Sequence, residues 1–148
     1  MARSFSAVVS AKVAARKDLM RAVFKSSVQG VAAIAQTPGP SKANPGGGRG
    51  GHLPIDTGFL RASFTATLTP ALPAAMPRPD GEASYSYDAT AVNLVIAGAD
   101  LGDTITLAYT ANYARFVHRN YQWVTLAAQQ WPQVVARNAA EAERRFRL

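Results

Sequence analysis

The sequence predicts an α+β fold: a small antiparallel sheet of three to four strands, with a long N-terminal helix and a C-terminal helix packed on it. Three observations carry this expectation. Apolar residues recur at helical spacing from Val9 to Ala35. Period-two alternation appears in three later stretches, at residues 64–68, 92–96 and 105–109. A second helical pattern runs from Trp123 to Phe146. With 148 residues the chain suits a single domain with one core.

The first helix is expected over residues 5 to about 36, with Ser4 or Ser6 as its N-cap. Val9, Val13, Met20, Phe24, Val28, Val31 and Ala35 form a narrow apolar stripe, and Arg16, Lys17, Arg21 and Lys25 lie away from it. Such a helix spans roughly 45 Å, long for so small a domain. Its stripe either covers the sheet or lies in part against a neighbouring molecule. Residues 37–54 then read as a flexible Gly/Pro loop, from Pro38-Gly39-Pro40 through the glycines around Arg49. A loop of this length is usually functional or disordered. No Lys-Ser/Thr follows the glycines and no strand precedes them, so it is not a phosphate loop.

The central stretch is Leu53-Pro54-Ile55-Asp56-Thr57-Gly58-Phe59-Leu60-Arg61-Ala62-Ser63-Phe64. Pro54 presets an extended approach, and Asp56 or Thr57 can cap a short helical turn. Gly58 leaves room for another backbone to come close. Leu60 and Phe64, four apart, are placed on one face, with Arg61 elsewhere. Phe64, Ala66 and Leu68 alternate with threonines as a first strand, which Pro70 stops. A second long loop follows to about residue 88, with Tyr85 and Tyr87 as a possible short edge strand. Val92, Leu94 and Ile96 are read as the second strand and Ile105, Leu107 and Tyr109 as the third, the two joined as a hairpin through residues 98–103. Tyr113, Phe116 and Val117 share a face of a strand end or helical turn. The C-terminal helical segment covers about 123–147, where Pro132 either kinks one helix or opens a separate one.

The Pro-x-Asp-Thr-Gly-x-Leu-Arg-x-Ser pattern of residues 54–63, followed by strands and then Tyr113-Ala114-Arg115-Phe116-Val117, resembles the neck proteins of long-tailed bacteriophages. These are also described as head–tail joining, tail completion or minor tail component proteins. The resemblance spans roughly residues 5 to 146 and includes the order of parts. The family usually continues with Glu and a Gly soon after, where this chain has His118 and Arg119, so the role of that acid is not carried over. The resemblance implies a virion protein at the head–tail junction, assembled in the bacterial cytoplasm as a ring around the DNA channel. It implies six copies in preference to twelve. Its partners would be copies of itself, the head-completion or connector and the tail-terminator or tail-tube proteins, and genome DNA in the channel. Asp56, Thr57, Gly58, Leu60, Arg61, Tyr113, Ala114 and Phe116 are the candidate assembly residues, with Arg61 reaching an acid or a carbonyl at the start of the first strand. A tail-terminating ring is a related alternative.

Charge bears on partners. Residues 1–78 carry ten Lys/Arg against two acids, residues 79–114 five acids and no base, and residues 115–148 six Arg against two acids. Basic helices with an acidic middle suit head-to-tail docking of copies, and equally suit nucleic acid. Arg49, Arg144, Arg145 and Arg147 are therefore possible DNA or partner contacts, and a non-specific basic nucleic-acid-binding protein is the second function class. No apolar run is long enough for a membrane span, and there is no cysteine. Only His52 and His118 could supply imidazole, neither at metal-ligand spacing. Ser63 and Ser84 lack a nucleophile-elbow context. No catalytic residue, metal or cofactor is assigned, and the chain is read as a structural, non-enzymatic protein.

Overall fold

A computed structural model describes residues 4–41, 45–46, 48–80 and 83–145. Helix α1 spans Phe5–Ala35, and the Ser4 hydroxyl oxygen accepts the Ala7 N–H at 3.2 Å, satisfying one donor that a helix start leaves open. At its end the Gln36 and Thr37 N–H groups donate to Ala32 and Ile34 carbonyls, and Pro38 disfavours a further turn. No helix among the described residues is long and apolar enough to cross a membrane.

The long loop is tied at its base. Two-residue strands β1 (Pro38–Gly39) and β2 (Leu53–Pro54) pair in parallel, and the Pro38 carbonyl accepts N–H bonds from Arg49 and Gly51 at 2.8 and 3.1 Å. Helix α2 (Phe59–Ala62) leads straight into strand β3 (Phe64–Thr67), where Phe64 and Ala66 face inward as the alternation requires. Strand β3 pairs antiparallel with β4 (Thr106–Tyr109), in the register Phe64 opposite Tyr109 and Thr67 opposite Thr106.

The antiparallel sheet therefore has two strands among the described residues, not three to four. Between its strands lies a helix, α3 (Thr90–Ala97), where the alternation of Val92, Leu94 and Ile96 suggested a strand and a hairpin. Val92 and Ile96, four apart, are buried, whereas Leu94 is 68% exposed. That pattern is helical. The Asp88 carboxylate accepts the Thr90 N–H at 2.9 Å and starts the turn, and the Thr90 hydroxyl and N–H hold the Asp88 carboxyl below the usual carboxylate range. Tyr85 and Tyr87 form no edge strand; they lie outside any helix or strand, with their rings against Phe59 and Phe64.

Helices α4 (Ala114–Tyr121), α5 (Trp123–Gln129) and α6 (Trp131–Arg145) complete the chain. Gln122, at φ 50°, turns α4 into α5. Pro132 sits in the first turn of a separate helix, the second of its two expected roles. Helix α1 packs chiefly along α6, with Val134 against Gly30 and Asn138 Nδ2 donating to the buried Ser27 hydroxyl at 3.3 Å. Two apolar clusters result. One joins Ala35, Leu53, Phe59, Leu60, Ala111, Trp123 and Ala127; the other joins Val28, Ala32, Phe64, Ala66, Val92 and Ile96. Tyr109 touches both. Leu60 and Phe64, expected on one face, thus separate into different clusters because the helix ends at Ser63 between them.

Only the second half of the α1 stripe is covered. Val28 and Ala35 are buried, but Val9, Val13 and Met20 are 42%, 47% and 57% exposed.

Candidate assembly junction

Gly58 sits at φ 87°, in the left-handed region, immediately before α2. The Tyr85 N–H donates to the Thr57 carbonyl at 2.8 Å, which brings the Tyr85 backbone so close that a Cβ on Gly58 would collide with the Tyr85 carbonyl oxygen. The glycine is thus the place where the second long loop crosses the central stretch. Beyond the crossing the Tyr85 ring meets Phe59 edge-on at 5.3 Å, and Phe59 lies 6.3 Å from Tyr113. The two sequence patterns meet here. Thr110 donates to the Ser63 carbonyl through both its N–H (3.0 Å) and its hydroxyl (2.9 Å), and Leu60 lies in a cluster onto which Tyr113, Ala114 and Val117 pack.

Arg61 and Gln36 clamp the end of α1 to α2. Arg61 Nε donates to the Gln36 carbonyl at 3.1 Å, and Gln36 Nε2 donates to the Arg61 carbonyl at 3.0 Å. The remaining amide oxygen, Oε1, accepts the Tyr109 hydroxyl at 2.6 Å. Gln36 is only 5% exposed, so these partners satisfy a side chain that burial would otherwise penalise. The Arg61 guanidinium also lies over the Tyr87 ring, 5.5 Å from its centre. Gln36 had no motif to mark it; the only hint was a polar residue at the helix stop before Thr37-Pro38.

Burial pushes the Tyr109 hydroxyl far above its ordinary value. An unfolded tyrosine releases its proton near pH 10, before the folded one does. The stability Tyr109 contributes is therefore complete below about pH 10 and lost as pH rises beyond it. Tyr109→Phe is expected to cost about 1–3 kcal/mol at pH 8, because Gln36 Oε1 loses its donor. The gap to wild type should shrink by about 1 kcal/mol between pH 10 and 11, read by urea unfolding at each pH. A gap that stays constant would show that Tyr109 titrates alike in both states.

The other sequence candidates fall in three places. Asp56 and Thr57 rim a cleft of about 250 Å³ whose walls include Ile55, Leu60, Arg78, Tyr113 and Val117. Asp56 does not cap α2; its Oδ2 pairs with Arg78 at 3.2 Å, with the two side chains 65% and 47% exposed. Thr57 Oγ1 accepts the Phe59 N–H at a long 3.4 Å. Phe116 departs from the face expected of it. It is 50% exposed, outside the cluster that takes Tyr113 and Val117, with the Arg115 and Arg119 guanidiniums 4.9 and 5.5 Å from its ring centre. Arg144 and Arg145 are exposed in the last turn of α6, where Arg145 pairs with Glu141 at 3.1 Å, and Arg49 borders a separate cleft beside Arg61 and Tyr87. Arg147 lies outside the described residues.

No protein-family model, curated protein or solved structure matches the chain. The chemistry of the junction rests on its own geometry. Among the described residues no three His, Asp or Glu side chains gather as a metal site. Ser63 is buried and its hydroxyl donates to the Leu60 carbonyl at 2.6 Å, closing α2. His118 Nε2 accepts the Thr125 N–H at 3.3 Å at the start of α5, with its ring against Trp123. Both side chains are spent on local structure.

Proposed function

We propose that the protein is a non-catalytic structural component of the neck of a long-tailed phage, one subunit of a ring that joins the filled head to the tail around the DNA channel. The observation that supports this reading is the junction itself. The two patterns that carry the resemblance, distant in sequence, are fastened by the Thr110–Ser63 bonds and the Phe59–Tyr113 contact into one unit. Six copies held by heterologous contacts would close such a ring, and repetition of modest contacts would make it firm. Its neighbours would be the head-completion or connector and the tail-terminator or tail-tube proteins.

Electron microscopy of lysates from a phage with this gene disrupted tests the reading. Full heads lying apart from finished tails are the expected result; normal attached particles would overturn it, and overlong tails would indicate a tail-terminating ring instead. The exposed Asp56–Arg78 pair contributes at most about 1 kcal/mol, so Asp56→Ala should leave the fold intact. Misassembled particles from that variant would place the cleft at a subunit contact.

A second reading, salt-dependent contact with DNA regardless of sequence, is favoured by the exposed Phe116 flanked by Arg115 and Arg119. In the neck the two readings are compatible.

A further inference from the structure

The first turns of α1 carry more apolar surface than the fold uses. Every residue from 4 to 14 is exposed, including Phe5 at 85% and Val8, Val9 and Val13 at 37%, 42% and 47%. Residues 4–17 hold Lys12, Arg16 and Lys17 and no acid. This arm is both greasy and cationic.

A second feature of the same molecule complements it. Between α1, α6 and the turn after α3 lies a groove of about 540 Å³. Its walls are largely apolar, with Met20, Phe24, Leu101, Trp131, Val135 and Ala139 among them, and two acids, Asp103 and Glu143, and one cation, Arg16, also border it. The turn is held in place by Arg21 Nε donating to Asp100 at 2.6 Å and by Lys25 donating to the Ala97 carbonyl at 2.7 Å. Through Leu101, Gly102 and Asp103 the turn brings the acidic middle of the chain to a groove otherwise walled by α1 and α6.

We infer that the arm of one copy, residues 5–13, docks in the α1–α6 groove of the next copy. Phe5, Val9 and Val13 enter the apolar trough, and Lys12 approaches the carboxylates of Asp103 and Glu143, which outnumber Arg16 at the groove. A symmetric dimer that brings the two N-terminal halves of α1 together is disfavoured, because residues 4–17 of each copy bring Lys12, Arg16 and Lys17 and no acid to the contact. Donor and acceptor surfaces therefore differ, each copy offers one of each, and the contact repeats instead of closing at two. The inference deepens the ring reading and rests on it for the identity of the partner.

The test uses two full-length variants, checked by circular dichroism for native folding. Val9→Asp with Val13→Asp spoils the arm on a surface the fold leaves exposed. Ala139→Lys with Glu143→Lys makes the groove repel a cationic arm. By light scattering, wild type should assemble beyond a dimer, and either variant alone should need more than about tenfold higher concentration to do so. Mixed together, they retain one intact arm and one intact groove, and should form a one-to-one heterodimer and nothing larger. A monomeric wild type, assembly that stops at a symmetric dimer, or variants that assemble as wild type would each overturn the inference. Sedimentation of monomeric wild type with phosphatidylglycerol vesicles, lost in the arm variant, would also overturn it and assign the arm to a membrane surface. Whether heads and tails separate in the disrupted lysate is independent of these results, so the two readings fail separately.

Discussion

Trp123→Ala is expected to lower stability by about 3–5 kcal/mol, the cost of emptying a large aromatic site in a packed core. Trp123 is 2% exposed, with the Tyr109 and His118 rings edge-on at 5.4 and 5.2 Å. It shares a cluster with Leu53, Phe59 and Leu60, so the loss would fall at the base of the junction. Domains of this kind hold only about 5–15 kcal/mol in total, and the melting temperature should drop by roughly 10 °C or more. Thermal unfolding followed by circular dichroism measures it, with Trp131→Ala as the comparison. Trp131 is 37% exposed on the groove wall and should lose far less. Equal losses would contradict the division of the two tryptophans between core and surface.

Gly58→Ala should cost at least about 2 kcal/mol from two additive causes. An L side chain at φ 87° pays about 1–2 kcal/mol for the left-handed conformation. The new Cβ must also displace the Tyr85 carbonyl, a backbone atom fixed by the Tyr85–Thr57 hydrogen bond. Gly102→Ala separates the causes: φ is 90° there, and no atom lies within 4 Å of the added carbon. Urea unfolding should place the Gly58 variant clearly below the Gly102 variant, and a Gly58 variant no worse than its comparison would mean that the crossing is loose.

Where sequence and structure agree, one physical period dominated. The α1 stripe and the Phe64–Thr67 alternation each fitted a single template, and Pro132 had two roles of which the break between α5 and α6 at Gln130 selects one. Where they disagree, two templates fitted. Val92 and Ile96 are even-spaced for a strand and also four apart for a helix, and only the Asp88–Thr90 turn before the helix and the exposure of Leu94 separate the cases. Losing that strand removes the expected hairpin, so β4 pairs with β3 across the intervening helix instead of with its nearest neighbour. The junction was legible as two patterns but not as a contact. Nothing local to Gln36 announces that its amide meets Arg61 and Tyr109, since those partners come from chain segments 25 and 73 residues away.

The packing of α1 along α6 has a kinetic consequence. The covering for Ser27 and Gly30 arrives with Asn138 and Val134, some hundred residues later in the chain. At a synthesis rate of about 5–20 residues per second, α1 waits roughly 5–20 s on the ribosome before α6 is made. During that interval the side of α1 that α6 will cover, and not merely the arm, is open to solvent. Newly made chains are therefore at their most sticky before the last helix appears, and holding them at low temperature or with a chaperone during expression should raise the yield of soluble protein more than any change made after synthesis.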